Sequence, residues 1–237
     1  MGYIRLKRLA IIPARGGSKR IPNKNIKSFS GKPMIYYSLN AAKLSGLFDK
    51  IHVSTDSDKI AEVVAKLGFE VDFLRDASLA DDITPIMPVL KWVLEKYESQ
   101  NIIFDEVALI MACAPLIDFK DLQEASKLMK THNNSNPVMA ISSYPVPIEW
   151  AFRKDKVSNL IPVNPGKFKI RSQDLEKKYF EAGLFTFFPK DTVLNSKGAG
   201  DDKSYIGYEL NKIQAIDIDD QEDWDFAELV MQAIPDK

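Results

Sequence analysis

The chain has 237 residues, 45% of them hydrophobic and 27% charged, which is enough to bury one large core or a core with one sizeable excursion. Its 32 basic and 33 acidic residues leave a formal charge of −1, with no long run of like charge; this excludes the basic footprint of a nucleic-acid or anionic-lipid binder, so an anionic ligand must be met locally. The single cysteine, Cys113, excludes an internal disulfide and, inside the apolar run 108–114, reads as a small core hydrophobe.

From the N-terminus, basic residues lead into only about six apolar positions before Arg15, too few for a signal-peptide core. No apolar run approaches the roughly 18 residues of a membrane span, so we expect a cytoplasmic protein. The run 9–14 reads as a buried parallel strand stopping at Arg15-Gly16-Gly17. Pro33 is suited to the first turn of a helix that Gly46 would close. A strand over 50–55 follows, then a helix over 58–67 capped by Asp56 or Ser57, and a strand over 69–73 on the alternation of Phe69, Val71 and Phe73. The rhythm continues with a helix over 86–97, a strand over 106–111, a helix over 118–131 and a strand over 137–142. Such alternation predicts an α/β fold, a mostly parallel sheet with helices on both faces. It breaks after Tyr144, where Pro145, Pro147, Pro162, Pro165 and Gly166 suggest hairpins in an excursion over about 144–181. Strands over 182–188 and 211–217 and a helix over 221–233 complete a single domain.

The loop after the first strand carries Arg15, Lys19, Arg20 and Lys24 beside two adjacent glycines, at the sheet edge where open α/β folds bind ligands. Gly16 and Gly17 let backbone N–H groups wrap an anion, and Arg15 and Lys19 can neutralise phosphate charge. Neither a Walker loop nor a dinucleotide fingerprint is present. Asp217 and Asp219 stand two apart in Ile-Asp-Ile-Asp; strand geometry would point both carboxylates to one face and suit magnesium, while the alternative is that the segment merely caps the last helix. Arg171, with Gln173, could grip a carboxylate bidentately. His52 and His132 share no ligand spacing and are expected to have no catalytic role.

The motif Ile12-Pro13-Ala14-Arg15-Gly16-Gly17-Ser18-Lys19, continued by Pro22, Lys24 and Asn25 and by Gly31-Lys32-Pro33-Met34, resembles the CMP-sialic acid synthetase family of cytidylyltransferases. The likeness runs on through Val53-Ser54-Thr55-Asp56-Ser57, Leu79-Ala80-Asp81-Asp82 and Arg171-Ser172-Gln173-Asp174-Leu175 to Ile216-Asp217-Ile218-Asp219. It implies a three-layer αβα Rossmann-like nucleotidyltransferase fold and condensation of CTP with an acidic nine-carbon sugar. Carried over by residue, it implies that Ala14, Arg15, Gly16, Gly17, Ser18 and Lys19 hold the CTP phosphates, with Arg15 and Lys19 as the catalytic cations. Asn25, Arg75 and Asp82 would contact the nucleotide, Arg75 reading cytosine; Asp217 and Asp219 would bind Mg2+; Met111, Arg171, Gln173, Tyr179 and Phe180 would line the sugar site. The sialic-acid pattern departs at Met111 and Phe180, and the stretch from Arg171 to Gly183 is more similar to the pseudaminic acid cytidylyltransferase branch. Legionaminic, N-acetylneuraminic or eight-carbon KDO sugars are the alternative substrates, and a catalytically silent nucleotide-binding domain is the alternative of a different class. The excursion implies a homodimer or a lid.

Overall fold

A computed structural model describes residues 6–198 and 204–234. Its first half holds β1 (Arg8–Pro13), the two-residue strands β2 (Ser28–Phe29) and β3 (Lys32–Pro33), α1 (Ile35–Ser45), β4 (Lys50–Ser54), α2 (Asp58–Lys66), α3 (Ile86–Glu98) and β5 (Glu106–Ile110). The second half holds α4 (Phe119–Thr131), β6 (Val138–Ser143), β7 (Phe152–Lys154), β8 (Leu160–Pro162), β9 (Tyr179–Pro189), α5 (Lys190–Leu194), β10 (Ile206–Glu209) and α6 (Gln221–Ala233). Residues 1–5 of the basic N-terminal stretch lie outside the described residues.

The main sheet runs β10-β6-β9-β5-β1-β4. β1 pairs in parallel with β4 and β5, and β10 with β6, while β9 is antiparallel to both its neighbours. Because successive strand residues face opposite sides, β1 divides its apolar run between two cores. Ala10 and Ile12 pack with Leu39 of α1, Ile60 of α2 and Leu122 of α4; Leu9 and Ile11 pack with Leu90, Val93 and Leu94 of α3 and with Val193 of α5. The expected three-layer αβα architecture follows from that division. A third cluster docks α6, through Trp224, Ala227 and Met231, on Ile21, Phe29, Met34 and Cys113, beside the loop that follows β1.

Helix ends follow local chemistry. Ser57 Oγ accepts the Ile60 N–H at the start of α2, Asp118 and Asp121 form a reciprocal capping box on α4, and Gly46 closes α1 at φ 64°. Cys113 is buried, as its apolar surroundings imply.

Three expectations fail in detail. Pro33 belongs to β3, paired with Ser28, and α1 begins two residues later. Residues 69–73 form no ladder: Phe69 and Val71 pack on one core and Phe73 on the other, so their alternation reports side-chain burial, not pairing. The strand expected over 211–217 lies earlier, as β10. Residues 211–214 are a turn in which Asn211 Oδ1 accepts the N–H groups of Ile213 (3.1 Å) and Gln214 (3.0 Å), and the chain then crosses to α6 without joining a sheet.

The excursion carries the hairpin β7–β8 as a separate two-stranded sheet, its turn held by Asp155 Oδ1, which accepts from Val157 and Asn159 N–H. The main sheet resumes at Tyr179, which pairs with Ser143.

Candidate active site

Where β1 ends, Ala14 is fully buried and its N–H donates to Ser54 O (2.9 Å), which fixes the exit angle of the next loop. Gly16 follows with its N–H on Asp56 Oδ1 (2.9 Å); a Cβ there would lie 3.1 Å from Ser57 Cβ, so the close approach of the loop to the start of α2 favours glycine. Gly17 faces open space. Asn25, 7% exposed, donates from Nδ2 to Arg15 O (3.1 Å) and braces the loop from beneath.

A cavity of about 280 Å³ opens here and gathers Arg15, Ser18, Lys19, Asn25, Arg75 and Asp82 on its wall, with Met111 and Asp219. Arg75 is nearly buried: its Nε donates to Ser54 Oγ (2.9 Å) and its Nη2 to Ser54 O (2.6 Å), pinning the guanidinium to the end of β4. Burial depresses its pKa, against the pull of Asp56. Asp82 pairs through Oδ1 with Arg15 Nη1 (2.5 Å) and through Oδ2 with Lys19 Nζ; those two bonds, Lys19 first, hold its carboxyl below the usual carboxylate range.

Also on the cavity wall, Asp219 Oδ1 pairs with Arg20 Nη2 (2.8 Å) and lies 3.9 Å from Lys24 Nζ, while Lys24 Nζ donates to Ile218 O (2.5 Å). Asp217 is driven above the ordinary carboxylate pKa by burial first and by Asp219 second, which places two carboxylates within electrostatic reach of each other. Ile218 between them is fully buried. No strand forms there; Ile216 and Ile218 pack on the α6 cluster, Asp217 lies against Gly183 and Asp219 against Arg20.

Capping of α6 falls to Asp220, which accepts from the N–H groups of Glu222 and Asp223. Asp223 in turn accepts from the N–H groups of Asp219 (2.9 Å) and Asp220 (3.0 Å). The side chains of Asp217 and Asp219 are therefore not used as the cap. Hard carboxylate oxygens that bear on each other's charge suit a divalent cation. Among the described residues no third acidic, histidine or cysteine side chain joins them, so such a cation would draw its other oxygens from ligand and water.

The predicted sugar residues divide. Met111 reaches the cavity wall. Arg171 is bonded within its own turn to Asp174 (2.9 and 3.2 Å), with Gln173 beside it in the exposed 3-10 turn Ser172–Asp174. Phe180 pairs with Ser142 and its ring lies 5.2 Å from that of Tyr144; Tyr179 is 42% exposed. These four are not on the cavity wall in the arrangement described. Two wall cations, Arg20 and Lys24, received no individual role from the sequence, and Asp56, expected there as a possible helix cap, instead accepts the Gly16 N–H while Ser57 caps α2. Lys24 stands in the basic loop that supplied Arg15 and Lys19, and that position was the available signal.

His52 lies inside the sheet, with Nδ1 3.1 Å from Tyr97 Oη and no partner at Nε2, and does not line the cavity.

The family model described as "Cytidylyltransferase" matches residues 9–230. Pseudaminic acid cytidylyltransferase of Campylobacter jejuni is 37% identical over 225 residues, covering 95% of this chain and 96% of the relative. CMP-N,N'-diacetyllegionaminic acid synthase of Legionella pneumophila is 32% identical over 230 residues, covering 94% and 96%. A solved structure of CMP:2-keto-3-deoxy-manno-octonic acid synthetase complexed with CTP superimposes with a TM-score of 0.71 at 16% identity, over 96% of this chain and 99% of that one. This last likeness bears on the fold alone, and agrees with it.

Proposed function

The chain belongs to the cytidylyltransferase family, and from that premise we propose that it transfers the cytidylyl group of CTP to a nonulosonic acid, pseudaminic acid, with release of pyrophosphate. The observation that carries the reading is one cavity lined together by Arg15, Lys19, the pinned guanidinium of Arg75 and Asp219. The sugar assignment rests on likeness to the Campylobacter jejuni enzyme over nearly the full length of both chains. The Legionella pneumophila relative makes legionaminic acid the second candidate.

In this reading the anomeric hydroxyl attacks the α-phosphorus in line; the new P–O bond forms as the bond to pyrophosphate breaks. Arg15 and Lys19 would take up charge growing on the leaving pyrophosphate, with the Gly16-Gly17 backbone wrapping the same anion. Arg75, already desolvated, would read the cytosine with the donor face not used on Ser54. Asn25 would hold the loop in shape. Asp217 and Asp219 would hold magnesium, which when bound would supply charge stabilisation at the phosphate oxygens. Met111 would offer the sugar an apolar wall, and Arg171, Gln173, Tyr179 and Phe180 would complete its site by movement of the excursion or in a homodimer. Exposed apolar side chains on the excursion, among them Phe152, Leu160, Ile161 and Phe168, support a partner-covered surface. Among the described residues no helix is long and apolar enough to cross a membrane, in keeping with a cytoplasmic enzyme.

The test is magnesium-dependent pyrophosphate release from CTP with pseudaminic, legionaminic, N-acetylneuraminic and KDO sugars, with Asp217→Ala as control. Turnover with pseudaminic acid, abolished in the control, is expected. CTP binding without release for any sugar would instead identify a silent nucleotide-binding domain.

A further inference from the structure

Asp82 has the wrong sign of charge for a group meant to touch a triphosphate, yet it stands on the cavity wall. Its two oxygens are divided between two cations, Oδ1 to Arg15 and Oδ2 to Lys19. The carboxylate stands on a braced turn: Asp81 Oδ1 accepts the N–H groups of Ile83 (2.9 Å) and Thr84 (2.6 Å), and Asp81 O accepts from Arg15 Nη1 (3.0 Å). At the other end of this segment, the Arg75 N–H donates to Thr55 O (2.7 Å).

Both bonds from Arg15 leave through Nη1. A guanidinium has five N–H donors and an ammonium three, so both cations keep donors for a ligand while Asp82 stays in place. Without a carboxylate between them, two cations converging on one small cavity would repel and splay into solvent; Lys19, whose side chain is 78% exposed, has ample room to do so.

We propose that Asp82 is a positioning residue, an anionic clamp that holds Arg15 and Lys19 side by side with their remaining donors turned toward the leaving pyrophosphate, and not itself a nucleotide contact. This rests on the reading of the cavity as a CTP site. The rival role is a counter-ion that fills the empty site and is displaced by the triphosphate, and the two roles predict opposite signs.

The experiment compares the wild-type chain with Asp82→Asn, which keeps shape and removes charge, and Asp82→Glu, which keeps charge. Inorganic pyrophosphate and CTP binding are read by calorimetry, and turnover by pyrophosphate release. The clamp predicts a kcat lower by about 10- to 100-fold in the Asn variant, the usual cost of losing an orienting partner. It also predicts several-fold weaker pyrophosphate binding, a KM for CTP that moves less than kcat, and partial recovery in the Glu variant. Tighter pyrophosphate binding by the Asn variant, or wild-type kcat in it, overturns the clamp while leaving the CTP reading intact. A wild-type chain that binds neither CTP nor pyrophosphate overturns both.

Discussion

Gly183 lies in β9 at φ +66°, and a Cβ built on it would sit 3.1 Å from Asp217 Oδ2 and 3.3 Å from its Cγ. Replacing it with alanine has two separable effects. An L residue in the left-handed region costs about 1–2 kcal/mol, and the carboxylate must retreat by a few tenths of an ångström, which shifts one of the two proposed metal ligands. Gly31, at φ +84° with nothing within 4 Å of its built Cβ, carries the first effect without the second. Gly31→Ala and Gly183→Ala should each lower Tm by roughly 2–8 °C, at about 2–4 °C per kcal/mol for a chain of this size. Only Gly183→Ala should weaken Mn2+ binding, by about tenfold or more, the scale seen when a ligand is mis-set, and raise the magnesium needed for turnover. Equal Mn2+ affinities in the two variants would refute the claim that Gly183 sets Asp217.

Two further outcomes are open to measurement. Burial, opposed by Asp72, drives the His52 pKa from 6.5 down to about 4, so the folded state binds fewer protons than the unfolded chain between those values; His52 costs no stability above pH 6.5, and as pH falls toward 4 about 3 kcal/mol is lost at roughly 1.4 kcal/mol per unit. Urea unfolding of wild type and His52→Leu across this range should show a shallower pH slope in the variant, and parallel slopes would count against the assignment. Arg75→Lys removes the bonds to Ser54 Oγ and Ser54 O that an ammonium cannot reproduce in the same fork; the KM for CTP should rise by about tenfold or more with a smaller change in kcat, as lost ground-state binding requires, and an unchanged KM would exclude Arg75 from the base site.

The parallel part of the fold was legible because β1 and β5 are continuous apolar runs and α2, α3 and α4 carry their own caps or periodicity. Period-two reading failed at Phe69, Val71 and Phe73, since alternate burial can be met by loop residues lying across a core edge as well as by a strand. The basic part of the cavity lining was legible because Arg15, Lys19, Arg20 and Lys24 come from one short loop, where chain proximity guarantees spatial proximity. The clamp was only half visible: Asp82 was placed near the nucleotide, but its link to Arg15 and Lys19 spans more than 60 residues and appears only with the fold. The placement of the residues expected to line a sugar site was least legible. Arg171 and Gln173 belong to a proline-braced excursion without periodicity, so nothing in the local pattern fixes where the segment points.

The ion pair between Arg20 and Asp219 closes 199 positions of chain, and the bond from Lys24 to Ile218 closes 194. Contacts so distant along the chain carry the largest loop-closure entropy. The sheet's inner strands end by Pro189, but Asp219 is held beside the basic loop by the segment that leads into α6, which docks there through Trp224. If that helix detached, Asp219 would lose Arg20 and Lys24 while β1 could keep its ladders with β4 and β5; the hold of α6 would then bear on the cavity apart from the stability of the sheet.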